Sequence, residues 1–262
     1  MPERPSVTEP NRSAGRTTVD SPWESRTLEE LAAARLAQEE LFVVSTSLDV
    51  GEKWLETLRR TLSPDELERA ARFRFDSHRR QFTIARGILR TILGGWLELP
   101  PAAVSFRYAE YGKPFIDGEI QFNMSDSGDR ALYAISRGRV IGIDLERIRH
   151  LRDAAALAQR FFAKGESERV VRSAEIERAF FTCWTRKEAY IKARGEGLSM
   201  PLDSFEVSVD PEDEPRLISA TLDPAETTRW RMEALDPLPG YIAAIVYEGP
   251  APRMRKVSLR FD

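Results

Sequence analysis

The sequence predicts an α+β fold, built as two α+β halves that meet near residue 140. Three observations support this. Helical and β-like patterns run along the chain in the order helices, strands, helices, strands. The 262 residues, 42% of them hydrophobic, provide a core suited to one large domain or two small ones. A buried β-like run at 140–145 marks where the second round begins, although no residue-level repeat links the two rounds.

Each element follows from local chemistry. Residues 1–26 are rich in Pro, Ser, Thr, Arg and Glu, so a disordered tail is expected there. It lacks the apolar stretch of a secretory signal. A helix is expected over 27–38, with Leu28, Leu31 and Leu36 on its apolar side, and a strand over 41–48. Ser63, Pro64, Asp65 and Glu66 open a helix, with serine as N-cap, proline in the first turn and acids at the positive helix end. Asp76 is expected to cap a longer helix, on which Phe82, Ile84, Ile88, Leu89, Ile92 and Leu93 recur at mostly helical spacing. Short β-prone runs at 104–108, 120–123 and 131–135 follow, with turns at Asp117-Gly118 and Arg137-Gly138. After the strand at 140–145, helices are expected at 152–162, 166–172 and 174–194, the last ended by Gly195. Strands at 205–209, 229–234, 241–247 and 256–261 complete the chain.

Composition removes several function classes. The formal net charge is −3, which disfavours a nucleic-acid partner. One cysteine, Cys183, permits neither an internal disulfide nor a cysteine-based zinc site, and it reads as a small buried hydrophobe. Two histidines, His78 and His150, lie among arginines and read as surface residues, which argues against a zinc hydrolase. No apolar run approaches the roughly 18 residues of a membrane span. A reducing cytosol is the expected location.

Four features can carry chemistry. In Gly142-Ile143-Asp144-Leu145-Glu146, two carboxylates two residues apart on a strand share one face. They repel unless a cation or proton sits between them, and Mg²⁺ takes such carboxylates together with phosphate oxygens. The plain alternative is that Asp144 caps a turn and Glu146 pairs with Arg147 or Arg149. On the helix Trp184-Thr185-Arg186-Lys187-Glu188-Ala189-Tyr190-Ile191-Lys192, the residues Trp184, Glu188 and Lys192 share a face. Glu188 and Lys192 form either a surface ion pair or a metal-and-phosphate site. Tyr111-Gly112-Lys113-Pro114 is a turn carrying a lysine, and Asn123-Met124-Ser125-Asp126-Ser127 is a strand end with small polar side chains; turn chemistry explains each, but such a place can also hold phosphate. Arg69, Arg72, Arg74, Arg79, Arg80, Arg86 and Arg90 form a basic helical stretch, of which one or two are expected to touch ligand.

Taken together, these segments resemble the 4′-phosphopantetheinyl transferase family, in the branch that serves peptide and polyketide synthases. The motifs are the GKP turn, the strand ending in Asn123 to Ser127, GIDLE, FFAKGE and WTRKEAYIKARGEGLSMPLDSF, in the family's order. The resemblance implies a pseudo-dimer of two similar α+β halves with the active site at their junction. An N-terminal half at 27–140 would make the nucleotide contacts, and a C-terminal half at 141–262 would hold the metal site and dock the carrier. It implies transfer of the 4′-phosphopantetheine group from coenzyme A to a serine of an apo acyl or peptidyl carrier protein, with release of 3′,5′-ADP. Asp144, Glu146 and Glu188 would hold Mg²⁺, and Glu188 and Lys192 would act in catalysis. Arg69, Lys113, Ser125, Lys187 and Lys192 would contact coenzyme A, and Glu166 would lie near the carrier-docking segment. The chain departs from the family at Asp126, where many members have a histidine on the 3′-phosphate; Ser125, Arg69 and Arg80 are the expected substitutes. Carrier docking is expected near 147–172, where Arg149, Arg152, Arg160 and Lys164 suit an acidic partner. A monomer is the expected state. The alternatives are a non-catalytic carrier-binding homologue and a metal-dependent phosphoesterase or nuclease.

Overall fold

A computed structural model of the protein describes residues 23–210, 212–221 and 223–261. The first half of the chain forms β1 (Glu24–Thr27), α1 (Leu28–Ala32), β2 (Glu40–Ser47), α2 (Glu52–Arg59), α3 (Pro64–Ala71), α4 (Asp76–Leu97), β3 (Arg107–Tyr108), β4 (Pro114–Phe115), β5 (Ile120–Ser127), β6 (Arg130–Arg137) and β7 (Ile141–Arg147). The second forms α5 (Ala154–Phe161), α6 (Lys164–Arg172), α7 (Ile176–Arg194), β8 (Phe205–Val207), β9 (Leu217–Ala220), α8 (Glu226–Arg229), β10 (Trp230–Leu235), β11 (Tyr241–Glu248) and β12 (Arg253–Arg260). The fold is α+β. No described helix is long and apolar enough to cross a membrane.

One sheet has the order β1-β12-β2-β6-β5 and a second the order β10-β11-β7. Strand alternation builds three core layers from them. On β2, Leu41 and Val43 enter a core shared by both sheets, while Phe42 and Val44 pack with α1, α2 and α4. On β7, Ile141, Ile143 and Leu145 enter the shared core. Gly142, Asp144 and Glu146 are therefore turned to the other face, where α7 lies.

That approach is close. A Cβ at Gly142 would lie 2.1 Å from the Ala189 carbonyl oxygen and 2.3 Å from the Ala193 nitrogen. Both are α7 backbone atoms, which no rotamer change can move away. Gly142→Ala is expected to cost about 3 kcal/mol or more, because overpacking here forces strand and helix apart. Equilibrium urea unfolding checks this.

Several expectations need correction. Trp23 to Arg26 are not part of a disordered tail: Trp23 Nε1 donates to the Asp236 carbonyl at 3.1 Å, and β1 pairs in parallel with β12. The rest of the expected tail, 1–22, lies outside the described residues. The chain does not divide cleanly at residue 140 either. β12 crosses back into the first sheet between β1 and β2, giving the buried strand β2 a ladder on both edges. α1 ends at Ala32, with Leu36 buried beyond it. The strand expected at 104–108 is reduced to β3, and α2, α8 and β9 are additional elements.

Candidate active site

β7 is the outer strand of its sheet, so the N–H groups on its free edge need partners. β5, the outer strand of the other sheet, supplies side chains. Asn123 Oδ1 accepts the Ile143 N–H at 2.8 Å, and Ser127 Oγ accepts the Arg147 N–H at 3.1 Å. Ser125 stands between them on the same face and donates to Asp144 Oδ1 at 2.8 Å. The Asn-x-Ser-x-Ser alternation is thus the joint between the two sheets, and Ser125 belongs to the carboxylate cluster.

Asp144 is buried, and its Oδ1 also accepts from Lys192 Nζ at 2.6 Å. The same ammonium donates to Ser125 Oγ at 3.0 Å. Asp144 Oδ2 is buried without a hydrogen-bond partner. Glu146 Oε2 accepts from Ser127 Oγ at 2.9 Å and from Arg149 at 3.3 Å. Glu188, one turn before Lys192 on α7, faces the same place. Burial raises the Glu188 pKa, and the Asp144 and Glu146 charges add to the rise while Lys192 opposes it. Burial and the Asp144 charge likewise raise Glu146.

Asp144 holds the Lys192 ammonium, and Glu188 and Glu146 both feel the Asp144 charge. Among the described residues, no three acidic, histidine or cysteine side chains stand in a ready-made metal cage. Lys192 already occupies Asp144 Oδ1. The donor set nevertheless fits a hard divalent cation. Every donor is an oxygen, Asp144 Oδ2 lacks a partner, and a cation would relieve the mutual repulsion.

Beside this cluster lies a cavity of about 530 Å³, lined by residues that include Arg69, His78, Phe82, Arg86, Asp126 and Gly128. Arg69 places its guanidinium over the Phe82 ring, 5.2 Å from the centroid. Arg86 is buried on α4; its Nε pairs with Glu66 at 3.2 Å, and one terminal nitrogen is buried without a partner. Asp126 touches solvent, yet the surrounding walls raise its pKa, with Lys192 opposing and Asp144 adding to the effect. Arg86 is one of the seven arginines of the basic stretch, and its burial sets it apart from most of them. Its signal was present, since an arginine on the buried stripe of α4 needs a partner or a ligand.

The remaining predicted residues stand elsewhere. Lys187 is fully buried, 2.7 Å from Glu166, and donates to the Leu202 and Phe205 carbonyls at 2.7 and 2.6 Å. Its protons are committed, so the expected diphosphate contact is corrected. Glu166 is also buried and accepts the Ala163 and Val207 N–H groups, so it cannot touch a docked carrier. The Lys113 ammonium donates to the Ile141, Lys192 and Ala193 carbonyls, which corrects its expected nucleotide contact. Ser125 does not line the large cavity. Arg80 pairs with Glu52 at 2.7 Å and lines a separate cavity with Arg59 and Arg79. Cys183 is buried as expected, and His150 pairs with Glu177. On the far side of Glu146, an apolar groove of about 210 Å³ is lined by residues that include Arg149, Leu157, Phe161, Phe180 and Trp184.

Comparison with known proteins bears on this arrangement. Residues 140–246 match the family model of the 4′-phosphopantetheinyl transferase superfamily. The chain is 41% identical over 221 residues to the 4′-phosphopantetheinyl transferase HetI of Nostoc sp., an alignment covering 82% of this chain and 90% of that protein. It is 39% identical over 120 residues to the 4′-phosphopantetheinyl transferase gsp of Aneurinibacillus migulanus, covering 45% of this chain and 49% of that one. It is 32% identical over 150 residues to the 4′-phosphopantetheinyl transferase Sfp of Bacillus subtilis, covering 56% and 66%.

Proposed function

This chain belongs to the 4′-phosphopantetheinyl transferase superfamily, and from that premise we propose how its residues divide the work. The enzyme moves the 4′-phosphopantetheine group of coenzyme A to a serine of an apo carrier protein and releases 3′,5′-ADP. One observation carries the assignment of residues: Asp144, bound through one oxygen to Lys192 and Ser125, keeps its other oxygen unpaired beside Glu146 and Glu188.

In this reading Asp144, Glu146 and Glu188 hold Mg²⁺. When bound, Mg²⁺ neutralises diphosphate charge as the P–O bond breaks. Lys192, steered by Asp144 and Ser125, meets the leaving phosphate and supplies its proton. Glu188, on the same helical face as Lys192, accepts the proton of the carrier serine. The serine oxygen forms the new bond to phosphorus, and 3′,5′-ADP leaves with the electrons of the old one. Arg69 and Arg86 hold the nucleotide end in the adjoining cavity, where the unpartnered Arg86 nitrogen suits a phosphate oxygen. Arg86 takes the part expected of Arg80, and Asp126 is left as an acid at that cavity.

The carrier docks at the apolar groove beside Glu146, where Arg149 faces an acidic helix and Phe161 an apolar one. The same reading makes residues 27–140 the nucleotide side and 141–262 the metal and carrier side, apart from β12. It makes the enzyme a monomer, since the two sheets already cover one another within one chain. Incubation with coenzyme A, Mg²⁺ and an apo carrier is expected to add one phosphopantetheine to the carrier by intact mass. Excess chelator is expected to stop the addition and added Mg²⁺ to restore it. Transfer that persists in chelator would remove the metal assignment.

A further inference from the structure

We infer that Lys113 is a positioning residue that ties the wall of the nucleotide cavity to the helix carrying Lys192. The geometry stands by itself, while its kinetic test rests on the transfer reading above.

Lys113 follows a tight turn between β3 and β4. Gly112 sits at φ +81° and donates its N–H to the Ala109 carbonyl at 2.8 Å, and the Ala109 N–H returns to the Lys113 carbonyl at 2.9 Å. Tyr108, Gly112 and Pro114 of this hairpin line the large cavity. The Lys113 side chain turns away from it. Its ammonium donates to the Lys192 carbonyl at 2.6 Å, the Ile141 carbonyl at 3.1 Å and the Ala193 carbonyl at 3.4 Å. An ammonium has three protons, so none is left for a ligand.

The three acceptors explain why the contact matters. The Lys192 and Ala193 carbonyls end α7 and find no partner within the helix. A cation there also complements the negative end of the helix dipole. The Ile141 carbonyl begins β7, three residues before Asp144. One ammonium thus joins the backbone that carries Lys192 to the backbone that carries Asp144, next to the close approach at Gly142. Neighbouring contacts reinforce the join: a Cβ at Gly197 would meet the Tyr111 Cβ at 3.3 Å, and one at Gly195 would meet the Lys113 Cδ at 3.6 Å. The cradle is made of neutral carbonyls, and burial accordingly lowers the Lys113 pKa to about 8.

A clasp of this kind affects alignment more than affinity. Lys113→Met keeps the length and removes the donors. It is expected to lower kcat by about 10- to 100-fold, as a small misplacement of reacting groups does. KM for coenzyme A is expected to stay within about 3-fold of wild type, since no ligand contact is lost. Lys113→Arg keeps a cation at the cradle and carries the test if the methionine variant does not fold; it is expected to show the same split with a smaller loss. A rise in KM of about 10-fold or more at unchanged kcat, in either variant, would mark Lys113 as a ligand contact and overturn the inference. Unchanged kcat and KM in a folded variant would overturn it too. A wild-type protein that transfers nothing would count against the transfer reading and not against the clasp.

Discussion

Asp144→Asn is expected to lower the transfer rate by roughly 10³-fold or more, beyond the loss of about 10–100-fold typical of a residue that merely supports a metal site. The substitution keeps shape and the oxygen that accepts from Ser125 and Lys192. It removes the charge that a divalent cation and the Lys192 ammonium both require. Stability is expected to change by about 1 kcal/mol or less, because Lys192 is partly open to water and can be solvated when its partner becomes neutral. Loss of function at retained stability separates a charge requirement from a packing one. Single-turnover transfer and urea unfolding of the same preparation measure the two quantities.

Lys187→Met is expected to do the reverse. It leaves Glu166 buried without its cation, which costs about 3–5 kcal/mol. The Glu166 carboxylate keeps the Ala163 and Val207 N–H groups and the neighbouring Cys183 thiol, none of them a cation, and burial already raises its pKa. The protein that remains folded is expected to bind coenzyme A as wild type does. Replacing both partners, with Glu166→Met added to Lys187→Met, is expected to recover much of the stability, since no lone charge is then buried. Denaturant midpoints of the two variants, with calorimetric affinity for coenzyme A, check the claim. A large loss of affinity at unchanged stability would return Lys187 to the nucleotide site.

Much of the site was legible because it follows from periodicity. Asp144 and Glu146 share a face by the alternation of a strand, and Ile141, Ile143 and Leu145 show which face is left for them. Lys192 and Glu188 share a helical stripe, being four residues apart. Helical phase also argues against Lys187: at about 100° per residue it lies well off the Glu188–Lys192 stripe. The structure follows that phase, with Lys187 turned into the core beside Glu166. Other features had no local signal. The Lys113 contacts join residues far apart in sequence through backbone carbonyls, which every residue carries. β12 enters the first sheet because β2 needs a second edge partner, a requirement set by topology. α2 was partly legible, with Gly51 as N-cap before Trp54, Leu55 and Leu58 at helical spacing.

In the proposed site Asp144, with Glu146 and Glu188, holds a divalent cation to which coenzyme A binds. Calorimetric titration of coenzyme A into wild type and Asp144→Asn, with and without Mg²⁺, tests it most directly. Mg²⁺ is expected to tighten binding to wild type by about 10-fold or more, the scale of one charge-assisted contact, and to leave Asp144→Asn nearly unchanged. Equal tightening in both proteins would contradict the assignment.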